Sequence, residues 1–320
     1  MSQVPQTEIP PTTIFRHAFG VYRSTAMLAG MQLDVFTPLQ HGPMTALELA
    51  HALHVRPDKL RLLLYALVEA ELLTVDDDRF NNTPEADCYL VKGRRNYLGS
   101  AHELWSDLWT AALQSAQTIR VGLPQAKHDF TAMSSGELGA FLRGLHAGAL
   151  AAGRQLAAID GFERFTNLLD VGGGSGGVAI AACQALSHLR ATVIELPQVS
   201  KVTQSFVDET GMADRVAVRA MNVLEHPPER IFDVAVMRAL LQVLGADQAR
   251  QAIQNTAQAL RPGGTLFIIG HILDDTRLSP PIAVLHNLVF LNVYEDGEAY
   301  TERELTSWLA EAGFGDIQFQ

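Results

Sequence analysis

A chain of 320 residues that is 48% hydrophobic and 18% charged carries enough apolar content for one large core or two domains. Its formal net charge of −11, with no local cluster of Lys and Arg to offset it, excludes the electrostatic footprint that a phosphate backbone demands, so no nucleic-acid partner is expected. Cys88 and Cys183 lack C-x-x-C spacing, the N-terminal MSQVPQTEIPPTT lacks a basic region followed by an apolar core, and no apolar run approaches the roughly 20 residues of a span. No disulfide framework, metal or membrane is expected, and a reducing, cytoplasmic setting fits.

In the first half, the segments STAMLAGMQLDVF, TALELAHAL, PDKLRLLLYALVEAELL and ELWSDLWTAALQSAQTI repeat apolar residues at three- and four-residue spacing and predict helices. Thr45 and Asp58 stand where N-caps belong. The helical run into TVDDDRFNNTP predicts a short hairpin: strand, acidic turn, strand, stop. Helices followed by a small hairpin form a winged-helix pattern. Its groove-reading helix would carry Glu69 and Glu71 and its wing Asp76, Asp77 and Asp78, so a dimerisation or lid module fits better than a DNA reader.

After Gly161 strand and helix alternate, the signature of an α/β, doubly wound sheet. Strands are predicted at TNLLDV, ATVIEL, VAVRAM, FDVAVMRA and TLFIIGHIL, with a last one near DIQFQ. Between them lie the helices GVAIAACQALSH, PQVSKVTQSFVDET, ADQARQAIQNTAQAL and TERELTSWLAEA. The expected organisation is a helical, winged-helix-like module over 1–100, connecting helices over 101–160 and a Rossmann-like domain over 161–320.

Between the first strand and helix stands LLDVGGGSGG, residues 168–177. It satisfies G-x-G-x-x-G through Gly172, Gly174 and Gly177 and G-x-G-x-G through Gly172, Gly174 and Gly176, so alone it does not choose a cofactor. In such sheets ligands sit at the carboxyl ends of the strands. Those ends carry Asp170, Glu195, Asn222 and Arg238. Glu195, about twenty residues past the loop, is placed to accept hydrogen bonds from ribose hydroxyls, as NAD and S-adenosylmethionine both require. Asp170 discriminates: an acid before the loop opposes a pyrophosphate but suits a cofactor carrying an ammonium and a sulfonium. Asn222 is placed for the adenine amine and ring nitrogen.

Nearly the whole chain resembles the class I S-adenosylmethionine-dependent methyltransferases of the plant caffeate and bacterial small-molecule O-methyltransferase type. The matching residues are LLDVGGGSGG, VIELPQV, ALRPGGTLFI and GEAYTERELTSWLAEAGF, preceded by TALELAHALHVRPDKLRLLLYALVEAELL. The resemblance implies S-adenosylmethionine as cofactor, a small, partly apolar acceptor and a homodimer through the N-terminal domain. It places Gly172 and Gly174 against the methionine part, Glu195 on ribose, Asn222 and Val223 beside adenine, and Arg238 near the amino-acid end. An alternative reading of Arg238 is a surface cation.

The sequence departs from that family at the chemistry. Where the family reads Leu-His-Asp-Trp, this chain has Leu241, Gln242, Val243 and Leu244, and the family's acidic partner falls on Gly270 beside His271. Gln242 takes no proton at neutral pH. Holding nucleophile and sulfonium methyl in line can supply much of the rate, so O-methylation is favoured while C-, N- or S-methylation stays open. His286, Phe290 and Tyr294, spaced at four and four, predict one helical stripe along the acceptor pocket, with His286 as the replacement base; a half-buried packing histidine is the alternative. His146 and His271 are weaker candidates, His146 as a substrate contact. Trp105 and Trp109 are expected to pack in the interdomain core. A nicotinamide oxidoreductase, a transcriptional regulator and a non-methylating S-adenosylmethionine binder are the competing readings.

Overall fold

The computed structural model describes residues 9–320, which fall into two compact units, one ending at His102 and one beginning at Glu103. The segment expected to connect the domains from 101 to 160 thus belongs almost entirely to the second unit.

The first unit contains α1 (Thr12–Gln32), β1 (Met44–Thr45), α2 (Ala46–Leu53), α3 (Pro57–Glu69), β2 (Leu73–Asp76), β3 (Arg79–Asn82) and α4 (Pro84–Leu90). α2 starts in a capping box: the Glu48 backbone N–H donates to the Thr45 hydroxyl, and the Glu48 carboxylate accepts from the Thr45 N–H at 2.7 Å. Asp58 is not a cap. Pro57 occupies the first position of α3 with its fixed φ, Arg56 precedes it, and Asp58 instead accepts two bonds from the Arg56 guanidinium. Asp77 and Asp78 both take positive φ, 43° and 60°, which gives the two-residue turn whose twist matches its hairpin. The three strands pair antiparallel in the order β1-β3-β2. α1 begins twelve residues earlier than its predicted core and presents Phe15, Phe19 and Tyr22 as an exposed aromatic row.

The second unit contains α5 (His102–Ala112), α6 (Ser115–Val121), α7 (Ser135–Ala157), β4 (Asn167–Val171), α8 (Gly177–Ala185), β5 (Arg190–Glu195), α9 (Pro197–Glu209), β6 (Val216–Ala220), β7 (Phe232–Arg238), α10 (Ala246–Ala259), β8 (Leu260–Ile269), α11 (Pro281–Val293) and α12 (Glu302–Glu311). The five strands are parallel in the order β6-β5-β4-β7-β8. The strand order therefore reverses between β4 and β7, the place where such sheets open a crevice.

Side chains alternate across each strand and divide the interior in two. Leu168, Val193, Val234 and Val236 enter a core with α7, α8 and α9, whereas Leu169, Val171, Ile194, Ala235 and Met237 enter a second with α10 and α12. α7 and α8 touch backbone to backbone. A Cβ on Gly177 would lie 2.7 Å from that of Ala149, and one on Gly153 would overlap the Val178 carbonyl oxygen.

Within the second unit three further elements differ from expectation. The helix predicted over 103–119 is two, because the turn at Leu113 and Gln114 redirects α6 onto α11, where the Thr118 hydroxyl donates to Asn292 Oδ1 at 2.6 Å. α11 ends at Val293, so Tyr294 is extended (φ −118°, ψ 152°) instead of helical. The strand predicted near 316–320 does not form. Asp316 adopts φ 51°, which breaks the extended run, and Phe314 and Ile317 hold the segment by packing on the second core.

Candidate active site

The glycine loop leaves β4 through a bond from the Gly172 N–H to the Ile194 carbonyl at 2.9 Å. Gly172, Gly174 and Gly176 have φ of 60°, 58° and 69°, a left-handed alternation that side chains resist. This follows the G-x-G-x-G reading; Gly177 is the first residue of α8 and is glycine for its contact with α7. Glu195 braces the loop. Its Oε1 accepts from the Gly174 N–H at 2.8 Å and its Oε2 from the Leu196 N–H at 2.9 Å. Each oxygen keeps a lone pair for a ligand, and Glu195 lines the cavity above the loop. Burial pushes its carboxyl above the usual range, with those two N–H bonds opposing.

Asp170 lies beneath the loop and off the cavity wall. It is fully buried, and Gly173 must be glycine because a Cβ there would stand 2.7 Å from the Asp170 carboxyl carbon. Its Oδ2 accepts from the Ala179 N–H at 3.3 Å, while Oδ1 has no partner. Burial raises its carboxyl to about 7. Asp170, expected among the cofactor contacts, therefore does not itself line the cavity.

Arg238 ends β7 on the cavity wall and has no carboxylate within ion-pair distance among the described residues. Its guanidinium reaches α7 where Gly148 leaves room, since a Cβ there would be 2.9 Å from Nη2. Burial depresses its pKa, with Asp170 opposing. Asn222 and Val223 also line the cavity. The Asn222 amide is already committed to its own turn, donating to Glu225 Oε1 at 3.1 Å and accepting from the Leu224 N–H at 3.0 Å. The Val223 carbonyl is held by the buried Asn255 amide at 2.6 Å.

The cavity encloses about 490 Å³. Much of its wall is aromatic and aliphatic, with Phe130, Phe141, Leu142, Val289, Phe290 and Tyr294. Although Tyr294 leaves the helix, its ring stays stacked on Phe290 at 5.8 Å, so the predicted stripe of His286, Phe290 and Tyr294 faces one space. His286 stacks on His271 with centroids 4.0 Å apart. A carbonyl only accepts, so the contact from His286 Nδ1 to the Ile282 oxygen at 2.9 Å puts the proton on Nδ1 and, in the neutral ring, leaves the Nε2 lone pair available. His271 is pushed down to about 4, first by burial and then by His286 and Arg238, and so stays neutral. Gln242 also lines the wall, its Oε1 accepting from the His271 backbone N–H at 3.4 Å.

His146 is not on the wall. Leu142, Leu145 and Ala149 of α7 face the cavity, while His146 points around the helix to the Ser175 hydroxyl at 2.8 Å and packs on Phe206. It braces the loop from behind. Leu104 and Leu108 line the cavity where Trp105 and Trp109 do not. Sequence reading missed His128, which is buried, pairs through Nε2 with Asp107 at 2.8 Å and sets its ring edge-on to Phe141 and Tyr294. Its segment, PQAKHDF, has no periodicity that would mark it. Among the described residues no group of three His, Cys, Asp or Glu is placed to hold a metal ion, and no helix is long and apolar enough to cross a membrane.

Comparison with known proteins finds matches along the whole described chain. The family model of the O-methyltransferase domain matches residues 109–315, and that of the O-methyltransferase dimerisation domain matches residues 15–92. The chain is 28% identical to a tetracenomycin polyketide synthesis 8-O-methyl transferase of Streptomyces glaucescens, covering 98% of this chain and 94% of that protein. It is also 28% identical to a 3-hydroxy-5-methyl-1-naphthoate 3-O-methyltransferase of Streptomyces sahachiroi, covering 99% and 93%. Among solved structures, human N-acetylserotonin methyltransferase in complex with S-adenosylmethionine superposes with a TM-score of 0.85 at 22% identity, covering 99% of this chain and 96% of that one.

Proposed function

The chain belongs to the S-adenosylmethionine-dependent O-methyltransferases that act on small molecules, and within that family we propose that it methylates a hydroxyl on a flat aromatic acceptor, with His286 as the base. The observation that carries the proposal is the uncommitted Nε2 lone pair of His286, on an aromatic wall that also carries Gln242, which cannot take a proton. The relatives named for a polyketide and a hydroxynaphthoate point to the same acceptor shape.

The residues present fit the cofactor. Glu195 offers the two remaining carboxylate lone pairs to the ribose hydroxyls, and the bare loop at Gly172 and Gly174 lets the methionine part approach the backbone. Arg238, desolvated and without an ion pair among the described residues, suits the cofactor's carboxylate, and an ammonium above the loop would favour the ionised form of Asp170 beneath it. Val223 supplies an apolar face for adenine; the tied amide of Asn222 leaves its backbone as the adenine contact. When bound, the cofactor supplies a methyl group on a positive sulfur: the acceptor oxygen's pair forms the new O–C bond while the C–S pair returns to sulfur. His286 removes the hydroxyl proton, and the aromatic wall excludes water and orients the ring.

We further infer a homodimer through the dimerisation domain, because α1 exposes Phe15, Phe19 and Tyr22 as a continuous row that a second copy would cover.

The test is methyl transfer from S-adenosylmethionine labelled with a trideuterated methyl to a panel of hydroxy-, amino- and mercaptonaphthalenes, read by mass spectrometry. Label on oxygen is expected. A chain that binds S-adenosylhomocysteine yet labels nitrogen or sulfur acceptors and no hydroxyl would overturn it.

A further inference from the structure

We propose that Gln242 reads a carbonyl oxygen adjacent to the reacting hydroxyl, which makes the acceptor class an ortho- or peri-hydroxycarbonyl arene. The inference rests on the assignment of His286 as base.

The Gln242 amide is oriented by the His271 backbone N–H. The His271 backbone N–H can only donate, so the oxygen faces it. That oxygen also occupies the space a side chain at position 270 would need, since a Cβ on Gly270 would lie 2.7 Å from it. The glycine and the glutamine thus act together: the bare position admits the amide and fixes which end turns outward. The outward end is the NH2 group, with no hydrogen-bond partner among the described residues, on a side chain that lines the cavity.

The same wall carries Leu240, Leu244, Val289 and Phe290, whose side chains cannot accept a bond. A ligand that covered these donors with apolar surface would leave them buried and unsatisfied, which weakens its binding. An acceptor atom on the ligand avoids that loss. His271 joins the two reading groups, because its backbone holds Gln242 and its ring stacks on His286. One side of this unit gives a hydrogen bond and the other takes a proton. A hydroxyl beside a carbonyl presents the complementary pair. In solution such a molecule ties its O–H to its own carbonyl; the Gln242 N–H satisfies that carbonyl instead and frees the O–H to turn to His286 Nε2.

The experiment titrates the full chain, loaded with S-adenosylhomocysteine, with 2-acetyl-1-naphthol and with 1-naphthol. The hydroxyketone is expected to bind at least tenfold more tightly. In Gln242→Leu that preference should fall below about twofold with S-adenosylhomocysteine affinity within about threefold of wild type, and Gly270→Ala, which displaces the amide, should do the same. Equal binding of both naphthols to wild type, or a preference that survives Gln242→Leu, overturns the inference. Methyl transfer to 1-naphthol in those circumstances would leave the proposed function standing, whereas wild-type chain that failed to take up S-adenosylhomocysteine would fail that reading instead.

Discussion

Replacing Glu195 by Ala isolates the contribution of the ribose site. In the free protein Glu195 accepts two backbone N–H bonds, from Gly174 and Leu196, and has two lone pairs to spare. Hydrogen bonds to a charged group are worth about 1.5–3 kcal/mol each, so two lost ribose contacts weaken binding by roughly 3 kcal/mol at the low end. At 1.4 kcal/mol per decade that is about a 150-fold rise in Kd. Folding suffers less. Glu195 lines the cavity, so water entering it can replace the carboxylate on the two N–H groups at a cost of about 1 kcal/mol, and removing a desolvated acid returns part of that. Calorimetric titration with S-adenosylhomocysteine, paired with thermal unfolding, reads both quantities. Glu195→Gln, which keeps one oxygen for Gly174, should fall between wild type and Glu195→Ala. A loss of less than about fivefold in Glu195→Ala would refute the reasoning, because the ribose would then have to lie elsewhere.

Asp170 gives the free protein a pH-dependent stability. Its folded pKa, about 7, lies above the ordinary 3.8, so its contribution is full below 3.8, is lost as pH rises to about 7 and amounts to roughly 4 kcal/mol at most. Urea unfolding of Asp170→Asn should show a flatter profile across that window; an unchanged slope would contradict the burial. Asn292→Ala removes a fully buried amide bonded to Thr118, Ser115 and the Leu288 carbonyl, and should cost roughly 3 kcal/mol. Because that amide anchors α11, acceptor KM should rise while S-adenosylhomocysteine affinity holds. Gln242→His should raise activity on a hydroxynaphthalene by no more than about tenfold, roughly 1.4 kcal/mol of barrier, since Gly270 offers no acid to orient the new imidazole.

The sheet was legible because parallel strands buried on both faces read as apolar runs such as LLDV and VAVM, and because the glycine loop fixes where the first one ends. Position along a strand then located Glu195 and Arg238 at its carboxyl edge. Rotation about a helix was less legible. His146 and the pair Trp105 and Trp109 lie one position from residues that do line the cavity, a displacement of about 100° that apolar spacing alone does not resolve. Breaks made by tertiary partners were hidden as well: Asn292 of α11 captures Thr118 and so splits a run whose periodicity is continuous. Tyr294 shows the reverse, a residue that leaves its helix yet keeps its place because Phe290 holds the ring. The Asp107–His128 pair joins a helix to an aperiodic loop, and no local pattern announces it.

The dependence of kcat on pH with 2-acetyl-1-naphthol, in wild type and His286→Gln, tests most directly whether the base has moved from position 242 to α11. Wild type should lose rate on acidification along a one-proton limb. The variant should lose that limb together with about a hundredfold or more of kcat, while binding S-adenosylhomocysteine within about threefold of wild type. A variant that keeps both the limb and a kcat within twofold of wild type would show that His286 takes no proton from the acceptor.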